Sequence, residues 1–241
     1  IVIPSLRAKS ILVRTPNSAT VIPGIFRKKT KIILETAMEN SVFGYCKEKR
    51  SDNEIRMITT GRLLPSKNIL TAVRSLNYID KSLNISLQII GSGYQKKDIL
   101  KEVAKIGWSD RVNIIEELPR QKVLELIGQS DIFLFPSLRE GGSWSLMEAM
   151  AIGLPVVCLD WAGMSITTDE SCAIRLPVTN PEQMPKDMAD AIVKLVESPE
   201  LRERLGTAAR ERIRTVFNWD AKGEFIENLL NELDKNCSKS N

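Results

Sequence analysis

Between Ile55 and Val178, short apolar runs rich in β-branched residues alternate with longer stretches in which apolar residues return every three or four positions. The short runs predict strands at 55–60, 86–90, 112–115, 131–135, 155–159 and 172–176. The longer ones predict helices at 68–79, 96–106, 120–127 and 144–151. A run such as IFLF at 132–135 leaves no position for solvent, so these strands are expected to be buried on both faces. Regular alternation of this kind predicts an α/β fold, a doubly wound parallel sheet of Rossmann-like type. Two further helices are expected at 184–197 and 199–215. The turn Asn218-Trp219-Asp220 follows, then a last helix at 221–233 and a frayed polar tail at 235–241.

The first fifty residues fit that rhythm poorly. Runs at 11–15 and 31–34 predict two strands around a short turn of helix near Val21, and CKEKRSDN at 46–53 is polar enough to predict a linker. The expected organisation is therefore the end of a preceding domain at 1–45, a linker at 46–54, the α/β domain at 55–218, and a closing helix and tail at 219–241. The chain does not begin with Met and is expected to be a fragment or a partly resolved chain. Its start, IVIPSLRAKS, has none of the parts of a signal peptide.

Composition changes this picture mainly by exclusion. The chain has 241 residues, 43% hydrophobic and 27% charged, with no apolar run long enough to cross a membrane as a helix. Four cysteines (Cys46, Cys158, Cys172, Cys237) sit far apart without metal-ligand spacing and read as reduced thiols of a cytoplasmic protein. There is no histidine, which removes imidazole metal sites and any histidine base supplied by this chain. The net charge of +4 includes basic runs at Arg27-Lys28-Lys29 with Lys31 and at Lys47-Glu48-Lys49-Arg50. They read first as solvated surface, with peripheral contact at the inner face of an anionic membrane as the lesser reading. No nucleic-acid partner is expected, because no basic strand is interleaved with aromatics.

The candidate chemistry gathers where open parallel sheets bind ligands, beyond the carboxyl ends of the strands. After the 55–60 run come Gly61, Arg62 and Lys67, a guanidinium fork and a point charge suited to two phosphates. After 86–90 come Gly91 and Gly93, either a plain tight turn or a place where backbone approaches a ligand. After 155–159 comes Asp160-Trp161-Ala162-Gly163, where Trp161 is expected to pack. After 131–135 comes REGGSWSLMEAMAIGLP at 139–155, in which Glu140 and Glu148 are separated by seven residues around a Gly141-Gly142-Ser143 turn. Ser143 predicts a helix N-cap, Gly153 and Pro155 its end. N–H groups at such a helix start can face phosphate oxygens, and carboxylates can accept hydrogen bonds from sugar hydroxyls. Any one of these features alone is ordinary surface; together along one sheet edge they outline a sugar-nucleotide site.

The segments GRLLPSKN, IIGSGYQKKDIL, SDRVNII and SDIFLFPSLREGGSWSLMEAMAIGLPVVCLDW resemble the C-terminal, donor-binding domain of group 1 (family 4) glycosyltransferases of the GT-B fold, over about 55–219. The resemblance implies that Arg62 and Lys67 hold the donor diphosphate and stabilise the leaving group, that Glu140 contacts hydroxyls of the donor sugar, and that Glu148 contacts the ribose. It implies that backbone N–H groups from Gly142 through Ser143, Trp144 and Ser145 to Leu146 face sugar and phosphates, with Gly61, Gly91, Gly93 and Gly141 around them. No metal and no cofactor are implied, the nucleotide sugar being a substrate. Residues 1–45 would be the end of an N-terminal acceptor domain and the crossover, and the helix after Trp219 would return towards it. The family's usual Gly-Phe-Gly after the first acid is Gly-Gly-Ser-Trp at 141–144 here.

The expected function is a retaining glycosyltransferase moving a hexose from a nucleoside-diphosphate sugar to a saccharide or lipid-linked acceptor, in polysaccharide or glycolipid assembly. This chain would supply the donor site and, without the missing N-terminal domain, be inactive. The alternatives are a sugar-nucleotide epimerase or hydrolase of the same fold, and a non-catalytic sugar-nucleotide-binding subunit of a glycosylation complex.

Overall fold

The computed structural model describes residues 2–48 and 50–238. Lys49 of the second basic run, residues 239–241 of the expected frayed tail and the side chain of Cys237 lie outside the described residues. The central sheet has six parallel strands: β3 (Ile55–Thr60), β4 (Ile85–Ile90), β5 (Val112–Ile115), β6 (Ile132–Phe135), β7 (Val156–Leu159) and β8 (Ala173–Leu176). They lie in the order β5-β4-β3-β6-β7-β8. Every residue of β6 and β7 is buried, as the unbroken apolar runs require. The fold is the Rossmann-like α/β arrangement expected from the sequence.

The order reverses between β3 and β6, and there the ladder is shortest. β3 pairs with β4 over six positions but with β6 only at Met57↔Ile132 and Ile58↔Phe133. The two strands thus run on towards their carboxyl ends without bonding each other, which opens a crevice at the reversal point.

Helices α3 (Ile69–Ser75), α4 (Lys96–Ile106) and α8 (Met184–Glu197) pack together, as do α5 (Arg120–Gly128), α6 (Trp144–Ile152) and α9 (Pro199–Val216). The predicted 68–79 helix is shorter than expected, because after Ser75 it tightens into a 3-10 turn at Leu76–Tyr78. A short helix, α7 (Met164–Thr167), was not foreseen. The last helix, α10 (Trp219–Ser238), starts earlier than expected because the Asn218 side chain accepts a hydrogen bond from the Ala221 N–H at 2.7 Å. Trp161 is 44% exposed and does not pack as expected.

Ahead of the sheet, α1 (Val2–Arg7), β1 (Ile11–Val13), α2 (Pro16–Thr20) and β2 (Thr30–Ile32) surround a 3-10 segment at Gly24–Lys29. β1 and β2 pair in parallel, away from the main sheet. From Leu34 onward the chain joins the main core, where Leu34, Met38 and Val42 are buried in one apolar cluster with α6 and Phe217. The Met38 N–H donates to the Phe217 carbonyl at 2.6 Å. The polar stretch 46–53 is tied down: Lys47 and Arg50 pair with Asp131 at 3.1 and 2.5 Å, and the Glu48 N–H donates to Gly128 O at 2.8 Å.

Candidate functional site

The loops leaving β3 and β6 meet across the crevice. After Thr60 the chain passes Gly61 and Arg62 and makes a 3-10 turn at Pro65–Lys67. Asn68, in the left-handed region at φ 56°, then redirects it into α3. The loop from β6 is stitched to this turn. The Leu138 N–H donates to Ser66 O at 2.8 Å, and the Ser137 hydroxyl donates to the same oxygen at 3.2 Å. These bonds bring Lys67 and Glu140 into a direct ion pair across the reversal point.

The loop carrying Glu140 is clamped on two sides. The Gly163 N–H donates to Glu140 O at 3.1 Å, and a side chain at 163 would overlap Gly141 O. On the other side, a Cβ on Gly142 would overlap the Thr36 side chain, and one on Gly141 would meet the Arg14 guanidinium. Gly142 is therefore needed where the segment before the linker presses on the loop, whereas the end of the flexible Arg14 side chain could move aside at Gly141. Ser143 then caps α6 as expected, its hydroxyl accepting from Leu146 N–H at 3.4 Å. The N–H groups of Trp144 and Ser145 at the head of α6 have no partner within the helix.

Glu148 lies one turn further along α6. It is 6% exposed on a helix whose remaining buried residues are apolar. Arg120, the first residue of α5, supports it: Nε donates to Glu148 Oε1 at 2.7 Å and Nη1 to Glu39 Oε2 at 3.2 Å. The guanidinium also lies over the Trp144 ring, 5.7 Å from its centroid. Burial pushes the Glu148 carboxyl above the ordinary carboxylate range, and the hydrogen bond from Arg120 opposes that push. The same bond raises Arg120.

Together these groups line a cavity of about 620 Å³, a size suited to a small organic ligand. Of the residues singled out in the sequence, Gly61, Arg62, Lys67, Glu140, Gly142, Ser143, Trp144, Ser145 and Glu148 line it. The Arg62 guanidinium has no ion-pair or hydrogen-bond partner among the described residues. Four expected contributors do not line it. Gly91 and Gly93 have their open faces filled by main chain, Gly61 O and Leu63 O occupying the places their Cβ atoms would take. Their φ angles of 151° and 155° let the loops after β3 and β4 pack backbone to backbone. Gly141 faces Arg14 instead, and Leu146 is turned into the core with its N–H already used by the cap.

Three lining residues were not foreseen: Glu39, Thr60 and Arg120. Arg120 did leave a signal, because a cation at a helix start opposes the helix dipole and asks for a nearby anion. Glu39 left none, since only the folded chain brings it to Arg120. Cys158 is no candidate nucleophile, as burial pushes its thiol up to about 12.

The sequence model for glycosyl transferases group 1 matches residues 46–212, well over half of the chain. The chain belongs to that family. Among its relatives is an uncharacterised glycosyltransferase of Methanocaldococcus jannaschii, 26% identical over 175 residues that cover 71% of this chain and 44% of the relative. The D-inositol 3-phosphate glycosyltransferase of Corynebacterium glutamicum is 29% identical over 179 residues, 71% of this chain and 42% of its own length. The chain thus spans less than half the length of the curated relatives it matches. Among solved structures, sucrose-phosphate synthase from Thermosynechococcus elongatus superposes with a TM-score of 0.76 at 22% identity, over 95% of this chain and 59% of the other. Anabaena HepE, solved in complex with UDP and glucose, does so with a TM-score of 0.74 at 16% identity, over 93% and 64%. At such identities the structural likeness establishes the fold.

Proposed function

We propose that this chain is the donor-binding part of a retaining glycosyltransferase that takes a hexose from a nucleoside-diphosphate sugar. The observation that carries the reading is one cavity at the strand-order reversal, where the cations Arg62 and Lys67, the open head of α6 and the carboxylates Glu140 and Glu148 converge. Arg62, without a partner among the described residues, takes one phosphate, and Lys67 exchanges Glu140 for the other. The freed Glu140 accepts hydrogen bonds from the donor sugar, and Glu148 accepts them from the ribose. The N–H groups of Trp144 and Ser145 and the helix dipole add to the field on the diphosphate. Charge that develops on the leaving diphosphate is stabilised by these fixed groups, and turnover is expected without added divalent metal.

The acceptor, a saccharide or a lipid-linked sugar, would be held by a further domain. The length of the curated relatives supports that division. Reaction needs the acceptor hydroxyl held against the anomeric carbon, and such placement supplies much of an enzyme's rate enhancement. The 241-residue chain alone is therefore expected to bind a sugar nucleotide and to transfer sugar very slowly or not at all. The setting is cytoplasmic in this reading. No helix among the described residues is long and apolar enough to cross a membrane.

A thermal-shift panel of UDP-, GDP-, ADP- and dTDP-sugars tests the reading. Stabilisation by one of them at micromolar to millimolar concentration supports it. Stabilisation by none removes the donor site.

A further inference from the structure

Glu148 poses a problem that the donor site alone does not solve. A carboxylate buried on an apolar helix face is costly to ionise, and an unheld one has no fixed direction. Only one of its oxygens is engaged: Oε1 accepts from Arg120 Nε at 2.7 Å, while Oε2 takes no hydrogen bond among the described residues. Glu148 also lines the cavity, so Oε2 is the acceptor left for a ligand. Arg120 in turn is fixed from three sides. Glu148 and Glu39 accept from two different nitrogens of its planar fork, and Trp144, one turn before Glu148 on the same helix face, lies beneath it. A lysine could reach one of these partners but could not hold both with the same plane.

We propose that Arg120 is a positioning residue for the nucleotide: by occupying Oε1 it fixes the Glu148 carboxyl and turns Oε2 towards the ribose hydroxyls. The inference rests on the assignment of Glu148 to ribose made above. It adds that the discrimination between a ribose and a deoxyribose diphosphate depends on a side chain that touches neither. Glu39, which precedes the sheet in the chain, belongs to the same device because it holds the far side of the fork.

Calorimetric titration of the chain with the tightest binder among UDP, GDP and ADP, and then with its 2′-deoxy form, tests this. The wild type is expected to prefer the ribose form by roughly tenfold or more, the value of a hydrogen bond to a charged acceptor. Glu148→Gln and Arg120→Ala should each reduce that preference to within about threefold, and the double variant should reduce it no further. Arg120→Lys should recover part of it. Near-ultraviolet circular dichroism at the same temperature reports whether each variant is folded, and Glu39→Gln, which loosens the fork without truncating it, serves in place of an unfolded Arg120→Ala. If Glu148→Gln loses the preference while the Arg120 and Glu39 variants keep it, the positioning role is overturned and the ribose assignment stands. If Glu148→Gln keeps the preference, the ribose assignment itself fails. If Arg120→Ala weakens both ligands equally, Arg120 is merely structural and the inference is overturned.

Discussion

The pairs Lys67–Glu140 and Arg120–Glu148 face one another in the same cavity, yet they are built for opposite behaviour. Lys67 and Glu140 sit on two loops that meet where the strand order reverses, with side chains 20% and 14% exposed. Each is an acceptable partner for a different part of a sugar diphosphate, so the pair can open without leaving a charge stranded. Arg120 and Glu148 sit on two helices, and one oxygen of the acid is already committed. Parting them would leave a buried carboxylate unpaired, which costs far more than a surface ion pair is worth. The contrast teaches that loop-borne charges can be exchanged with a ligand, whereas helix-borne charges shape a surface for it.

Four experiments break or sharpen that contrast. The largest effect is expected from Lys67→Ala, which should weaken nucleoside-diphosphate binding roughly tenfold to hundredfold, the range of ~1.5–3 kcal/mol for a charge-assisted contact. Calorimetry checks it, and unchanged affinity would return Lys67 to a purely structural pair with Glu140. Gly163→Ala should come next. Its Cβ overlaps Gly141 O, so the loop carrying Glu140 must shift, at a cost of about 1–3 kcal/mol. Thermal melting should drop by several degrees, and the ribose preference set at Glu148 should survive. A melt equal to wild type would show the loop to be looser than its contacts suggest.

Glu140→Ala should have a smaller and opposite effect on the free nucleotide. It releases Lys67, so affinity for the free diphosphate should stay level or rise by up to about tenfold, while the preference for the sugar conjugate is lost. Glu148→Ala should weaken both ligands alike. Identical behaviour of the two variants would erase the distinction between the pairs. The smallest effect concerns pH. Burial raises the Glu148 carboxyl above its ordinary 4.5, so the folded state holds that proton more tightly than the unfolded state. Its contribution is fully present below 4.5 and is lost as pH rises through the folded value. Melting temperatures of wild type minus Glu148→Gln should therefore fall as pH rises from 4 through that window. A difference that is flat or rises with pH would mean that Arg120 outweighs burial.

Much of this was legible before folding. The six strands were placed to within a residue at either end because a parallel strand covered on both faces must be an apolar run, and little else in a soluble chain looks like that. Ser143 and Gly153 marked the ends of α6 through capping chemistry that is local. Helix ends set by side chains reaching back, as at Asn218, were missed by two residues, and α7 is too short to show a period.

The sequence by itself determined the sheet, the edge along which ligands gather, and the residue types that meet there, because burial and capping act over a few neighbouring positions. Tertiary structure alone decided which of those residues reach the cavity. Gly91 and Gly93 were placed against the 61–63 backbone and Leu146 was turned inward, although their sequence context reads as site. Glu39 and Arg120, separated by 81 positions, were brought together with Glu148. Such partnerships depend on how loops and helix starts pack across the reversal point. Charges act through space, and the distance along the chain carries no record of which ones will meet.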